Sequence, residues 1–299
     1  MLIDLFLDYL RTERNYSNRT IMGYGMDLKE FEAFFVEIDE KQRWETVDGD
    51  LVRQWVMHLM DTVNGGLKMQ PSSVNRKLSS LRSFYRFLLI RGYVKVNPML
   101  RIKGPKRKKA LPFFLRESEM DRLLDGEMFD DDFCGRRDRM ILEMFYSTGM
   151  RLSELIGLDD VDIDFSALCI KVTGKRDKQR LIPFGDELKE ALLAYIKIRN
   201  EELPVRLSNA LFVRKNGERM YSGLVYNLVR RNLSKVTTLR KRSPHVLRHT
   251  FATSMLNHSA ELESVKELLG HSSLAATEIY THTTFEELKQ IYKQAHPRA

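Results

Sequence analysis

Ser243-Pro244-His245-Val246-Leu247-Arg248-His249-Thr250 reads as the opening of a helix. Ser243 can cap the first turn and Pro244 has the φ that turn needs, so His245 and Arg248 fall at i and i+3 on one face. Downstream, Leu262, Val265, Leu268 and Leu269 keep helical spacing up to Gly270, a natural stop that presents His271 at the helix end. Tyr280 follows nine residues later in Ile279-Tyr280-Thr281-His282. Upstream, a helix is predicted over Arg136–Thr148, with Met140, Ile141, Met144 and Phe145 toward a core and Gly149 as its end. Arg151 in Thr148-Gly149-Met150-Arg151-Leu152-Ser153-Glu154-Leu155 then sits at an element boundary, where sites are commonly built.

A further component comes from two strand-like runs, Leu168–Thr173 and Arg180–Pro183, separated by Gly174-Lys175-Arg176-Asp177-Lys178-Gln179. The glycine and aspartate predict a hairpin with Lys175 near its tip. Two arginines, a lysine and histidines around one phenol suit attack on a phosphodiester. Such a reaction needs positive charge and donors aimed at the oxygens that gain charge, and a nucleophile held in line. A lysine whose pKa is lowered by neighbouring arginines suits proton donation to a leaving oxygen.

The order Arg151, Lys175, His245, Arg248, His271, Tyr280, with these spacings, resembles the tyrosine recombinase (phage integrase) family, most of all the bacterial Xer recombinases. The likeness spans essentially the whole chain, to His296-Pro297-Arg298-Ala299, and its one soft departure is Arg176, where Xer proteins usually carry a glycine. The resemblance implies a site-specific DNA strand transferase. Arg151 and Arg248 would clamp the non-bridging oxygens of the scissile phosphate, and His271 would add a hydrogen bond. His245 would take the proton of Tyr280, which attacks to give a 3′-phosphotyrosyl link, and Lys175 would protonate the departing 5′ oxygen. One phosphodiester is exchanged for another through a Holliday junction, so the resemblance implies no ATP, no metal and no cofactor. The partners it implies are a specific double-stranded DNA site and a tetramer on two such sites, built of one recombinase or of two, with a DNA translocase as a possible activator. Resolution of chromosome dimers, and with it chromosome partition and cell division, is the leading role; integration of a mobile element is the alternative.

Each residue also has a plainer reading. A tyrosine on a helix is usually packing, and His249, His258 and His282 read as structural. His245 and His249 have the spacing of metal ligands, yet Val246 stands where a zinc protease would need glutamate. Arg151 with Glu154 could be a surface pair worth only about 0.2–0.5 kcal/mol. Lys175 with Arg176, Lys178 and Arg180 could be a solvated basic turn. The fixed joint order outweighs these readings, and it also argues against three other classes. A type IB topoisomerase shares the tyrosine chemistry but acts alone, an architectural DNA binder would not need the full set, and a two-metal nuclease would need clustered carboxylates.

Composition agrees with a DNA-handling protein. The chain has 299 residues, 43% of them hydrophobic, enough for two domains with real cores, and a net charge of +8 that favours polyanionic partners. From Arg219 to Ala260 there are eight basic residues and no Asp or Glu, a stretch expected to lie against phosphates. No run approaches ~18 uninterrupted apolar residues, and the opening Met1–Asp8 is interrupted by two aspartates, so neither a membrane span nor a signal sequence is expected. Cys134 and Cys169 read as reduced thiols of a cytoplasmic protein, and the 14 methionines as core filler.

The fold expected is mainly α in two domains. Residues 1–100 form an N-terminal helical core-binding (SAM-like) domain, 101–112 a basic linker with six basic residues and two prolines, and 113–299 a mixed α+β catalytic domain with a small antiparallel sheet. Everything before the linker reads helical: Ile21, Tyr24, Leu28, Phe31 and Phe35 after a Ser17 or Asn18 cap, then Val74, Leu78, Leu81, Tyr85 and Leu88 after Pro71. Arg76, Arg86 and Arg91 lie opposite the second stripe and are expected to contact DNA, with the two domains clamping the duplex. Phe285, Leu288, Ile291 and Tyr292 form a terminal amphipathic helix; its plainer reading is that it folds back on its own domain, whereas the family resemblance implies that it docks on a neighbouring subunit.

Overall fold

The computed structural model describes residues 1–64, 67–106, 112–125, 128–174, 178–270 and 282–298. They form two compact units, Met1–Ala110 and Leu111–Ala299.

The first unit is built on four helices, α1 (Leu2–Thr12), α2 (Asn18–Ile38), α3 (Gly49–Asp61) and α4 (Pro71–Ile90). Ser17 caps α2 by accepting the Thr20 N–H, and Asp48 caps α3 by accepting from Asp50 and Leu51. Phe6, Leu28, Phe31, Trp55, Val74, Leu78 and Phe84 fill the core, and Trp44 meets Phe84 edge-on at 4.7 Å. The segment between α3 and α4 departs from the all-helical expectation. Two short antiparallel strands, β1 (Val63–Asn64) and β2 (Leu67–Lys68), stand there, consistent with the Gly-Gly pair between them in sequence, which disfavours a helix.

Two of the arginines expected on DNA have partners within this unit. Arg76 makes a fork of 2.5 and 2.7 Å to the buried carboxylate of Asp27, which also accepts from Ser80. Arg91 pairs with Glu13 and lies over the Tyr9 ring. Arg86 is exposed. Ile102 is buried in the same core, and Asn75 donates to the Pro105 carbonyl at 2.9 Å.

The second unit contains α5 (Glu117–Leu124), α6 (Phe133–Thr148), α7 (Leu152–Gly157), strands β3 (Ile163–Asp164), β4 (Cys169–Thr173) and β5 (Gln179–Pro183), then α8 (Asp186–Glu202), α9 (Ser222–Val236), α10 (Pro244–Asn257), α11 (Leu262–Leu268) and α12 (His282–Ala295). Helix α6 is the central element, and every residue from Met140 to Met150 is buried. Asp132 caps its start, three residues before the sequence places it, and Gly149 ends it at φ 58°. Glycine is required there on two counts: the left-handed conformation, and a β-carbon would sit 2.5 Å from Phe251 and 2.8 Å from Leu269.

The three strands form one antiparallel sheet in the order β3-β4-β5, with Ile170 opposite Ile182 and Thr173 opposite Gln179. Ile170, Val172 and Ile182 face the core.

A second, smaller core joins α10, α11 and α12. Phe251, Met255, Val265, Leu268 and Leu269 close on Leu288, Tyr292 and Ala295. In the single chain the terminal helix packs on α10 and α11 of its own unit. Fully burying a large apolar side chain contributes on the order of 1.5–3 kcal/mol, and the groove between α10 and α11 offers that to Leu288 and Tyr292 without a second subunit. Beyond α12, His296 stacks on Tyr292 at 5.0 Å, and Arg298 reaches Glu187 at 3.3 Å. The methionines divide: Met120, Met140, Met144 and Met255 are core, while Met22, Met26 and Met57 are exposed. Among the described residues no helix is long and apolar enough to cross a membrane.

Candidate active site

Helix α11 ends with carbonyls that have no partner within the helix and that carry the negative end of its dipole. Three arginines from three other elements answer three successive carbonyls. Arg180 Nε donates to Leu268 at 3.3 Å, Arg248 Nη2 to Leu269 at 2.6 Å, and Arg151 Nη2 to Gly270 at 3.1 Å. Gly270, at φ 63°, turns the chain immediately before His271.

Arg151 occupies the N-cap of α7, and Glu154 at the third helical position returns its carboxylate to the Arg151 N–H at 2.7 Å. The same carboxylate accepts from Arg151 Nη1 at 2.8 Å and takes a two-pronged contact from Arg180 at 2.7 and 3.0 Å. Arg248, in the second turn of α10, adds a bond of 2.7 Å to the Gly149 carbonyl at the end of α6. Arg151 and Arg248 thus come together as the sequence expects. Arg151 keeps 36% of its side chain in solvent, and Arg248 is almost fully buried.

The plainer readings of two participants do not hold. Arg151 and Glu154 are not a surface pair, because the carboxylate has no exposed side-chain area. Arg180 is not part of a solvated turn: it opens the predicted strand run and is buried on the inward face of β5 beside Ile182. A signal existed for each: glutamate three residues after Arg151 has capping-box spacing, and Arg180 keeps the alternation of an inward strand position.

Charge in this cluster is unbalanced. Among the described residues three guanidinium groups face one carboxylate, and 3 − 1 leaves two positive charges without a counter-ion in it. Burial pushes the Glu154 carboxyl up, but Arg180 and then Arg151 outweigh it and bring it down to about 2. Burial, with the charge of Arg151 behind it, lowers Arg248 to about 10, so it remains cationic at neutral pH. A cluster of this kind favours an oxyanion at its exposed edge, where Arg151 meets solvent.

His245 is exposed on the first turn of α10. Next to it, His249 is lowered by burial and then by His245 and Arg248, and favours the neutral imidazole. The hairpin is present as predicted, with Gly174 N–H bonded to the Lys178 carbonyl at 2.7 Å. Lys175, His271 and Tyr280 lie outside the described residues, as does the side chain of His282. His258 donates from Nδ1 to the Ser254 carbonyl, 2.9 Å away, in a structural contact.

The acid-free stretch from Arg219 to Ala260 is only partly available to phosphates. Arg219 pairs with Asp159 and with the carbonyls of Ile156 and Leu158, Arg231 pairs with Asp138, and Lys235 donates to Met128. Its missing acids are supplied by other parts of the chain, which a linear count of charge cannot register.

Residues 114–287 match the family described as the phage integrase family, and residues 3–92 match its N-terminal SAM-like domain. The chain is 40% identical to "Tyrosine recombinase XerC" of Chlorobaculum tepidum over 98% of its length and 94% of the relative's. It is also 40% identical to the protein of the same name from Pelotomaculum thermopropionicum, over 99% of this chain and 98% of that one. Among solved structures, XerH site-specific recombinase bound to a palindromic difH substrate superposes with a TM-score of 0.71 and 22% identity, covering 96% of this chain and 83% of that one. At that identity the likeness speaks to the fold.

Proposed function

Because this chain belongs to the phage integrase family of tyrosine recombinases and is a Xer-type site-specific DNA recombinase, we propose that it exchanges strands through a 3′-phosphotyrosyl enzyme and a Holliday junction, and that it resolves chromosome dimers. The observation that carries the chemistry is the cluster in which Arg151 and Arg180 share one buried carboxylate and Arg248 stands beside them, with two positive charges in excess among the described residues.

In this reading Arg151 and Arg248 bind the two non-bridging oxygens of the scissile phosphate, already oriented by the carbonyls of Gly149, Leu269 and Gly270. Preorganised donors of this kind stabilise the charge that develops as the phosphorus gains a fifth ligand, with no reorganisation at the moment of reaction. His271 follows Gly270 directly and adds a hydrogen bond to the same oxygens. His245 receives the phenolic proton of Tyr280, whose oxygen attacks phosphorus while the bond to the 5′ oxygen breaks. Lys175 delivers a proton to that oxygen. The 5′-hydroxyl of the partner strand then attacks the phosphotyrosyl bond and releases Tyr280, so the number of phosphodiesters is unchanged. Residues 1–100 and the basic segment 101–112 contribute DNA contacts, and 113–299 the chemistry.

The working assembly in this reading is a tetramer of one or two recombinases on two DNA sites, in the cytoplasm, with a DNA translocase as activator. Trapping on a nicked duplex tests the chemistry: Tyr280→Phe should retain DNA affinity and yield no covalent complex on denaturing electrophoresis. A covalent complex persisting in that variant would remove Tyr280 as the nucleophile.

A further inference from the structure

Arg180 belongs to none of the roles assigned above, yet it is bonded into the cluster as firmly as the arginines that would touch the phosphate. It holds both oxygens of Glu154 and the Leu268 carbonyl. Its stem runs under Gly270, where a β-carbon would come within 3.0 Å of Arg180 Cδ. It stands on β5 opposite Val172 of β4, the two strands whose connection carries Lys175. One side chain therefore ties together the carboxylate that orients Arg151, the turn that precedes His271, and the base of the hairpin that bears Lys175.

We propose that Arg180 is a positioning residue for strand transfer, fixing Glu154, and through it Arg151, and the end of α11 in one arrangement; this rests on Arg151 being the phosphate clamp described above. Bulk stability gives little reason for the group. A buried ion pair is often matched or exceeded in stability by apolar residues of similar volume, and Arg180 fills an inward strand position next to Ile182 that a branched aliphatic residue would suit. What an aliphatic residue cannot supply is the planar fork that sets the plane of the Glu154 carboxylate, and with it the direction of the Arg151 guanidinium. A lysine would keep the charge and lose the plane.

Among the described residues, the charged groups facing Glu154 are Arg151 on α7, Arg180 on β5 and Arg248 on α10. With Arg180 gone, burial acts against the remaining two, and the carboxyl titrates at higher pH. The experiment uses the full chain with Arg180→Met and Arg180→Lys. It measures half-site affinity by gel shift, the single-turnover rate of covalent capture on a nicked duplex as a function of pH, and the melting temperature. Arg180→Met should slow capture on the order of 10²-fold, the effect of a misplacement near 1 Å, with half-site affinity little changed. Arg180→Met should show a new acid limb, the rate falling as pH drops through the raised carboxyl pKa of Glu154, and Arg180→Lys, which keeps the charge but not the fork, should show that limb at lower pH and recover part of the rate at high pH.

A rate that falls only in step with affinity or melting temperature, with no new acid limb, would overturn the proposal. If Arg180→Met does not fold, Arg180→Lys decides by the same limb. Arg151→Ala is run in parallel: undiminished capture there would refute the clamp reading, whereas its loss together with an unaltered profile in both Arg180 variants would refute the role of Arg180 alone.

Discussion

Arg151 and Arg248 donate to adjacent carbonyls of one turn, Arg151 to Gly270 at 3.1 Å and Arg248 to Leu269 at 2.6 Å. Because both answer the same helix end, any shift of α11 moves the two guanidiniums together. Their spacing is preserved by a backbone rather than by direct contact between like charges, which would repel.

Glu154→Gln should separate folding from catalysis at this site. The amide keeps the shape but removes the charge that two arginines share, leaving buried cations less compensated. We expect a loss of roughly 3 kcal/mol in stability, by analogy with breaking a buried ion pair, and a covalent-capture rate lowered on the order of 10²-fold. Chemical denaturation and nicked-duplex trapping measure the two effects, and an unchanged capture rate would count against the carboxylate as the orienting group.

Lys175→Ala should slow cleavage of an ordinary phosphodiester far more than cleavage of one whose bridging 5′ oxygen is replaced by sulfur. A thiolate leaves without a proton, so the lysine has nothing to supply. Equal slowing on both substrates would make Lys175 a phosphate contact instead of the proton donor.

Truncation after Thr284 should lower the melting temperature of the unit Leu111–Ala299. It removes Leu288 and Tyr292 from the core they share with Phe251, Met255 and Leu268, at a cost on the order of 1.5–3 kcal/mol for each large side chain. Melting of the full and truncated chains checks this; unchanged melting with lost cooperativity on a full DNA site would favour docking on a neighbour.

His296 should make the protein acid-sensitive. Burial lowers its pKa from 6.5 to about 4, partly offset by its contact with the Tyr146 carbonyl. Between those values the unfolded chain binds the proton and the folded one does not, so stability is fully present above 6.5 and is lost as pH falls toward 4, by up to ~3 kcal/mol. His296→Gln, which cannot titrate, should flatten the melting temperature over that interval, and an identical pH profile in the variant would exclude His296 as the cause.

Local signals in the chain were enough for much of this protein. Ser17 caps its helix where sequence rules allow, Gly149 and Gly270 end theirs, and the alternation around residues 168–183 marks the hairpin. The order of Arg151, Lys175, His245, Arg248, His271 and Tyr280 carries the family, because chemistry constrains residue type and spacing together. Tertiary structure alone decided which cations are free. Arg76, Arg219 and Arg231 look like available positive charge until Asp27, Asp159 and Asp138 arrive from distant segments, and Arg180 looks solvated until β5 turns it inward onto Glu154. The terminal stripe is legible as apolar, but its docking site is assembled from α10 and α11. Periodicity shows that a face must be covered; only packing in three dimensions chooses the surface that covers it.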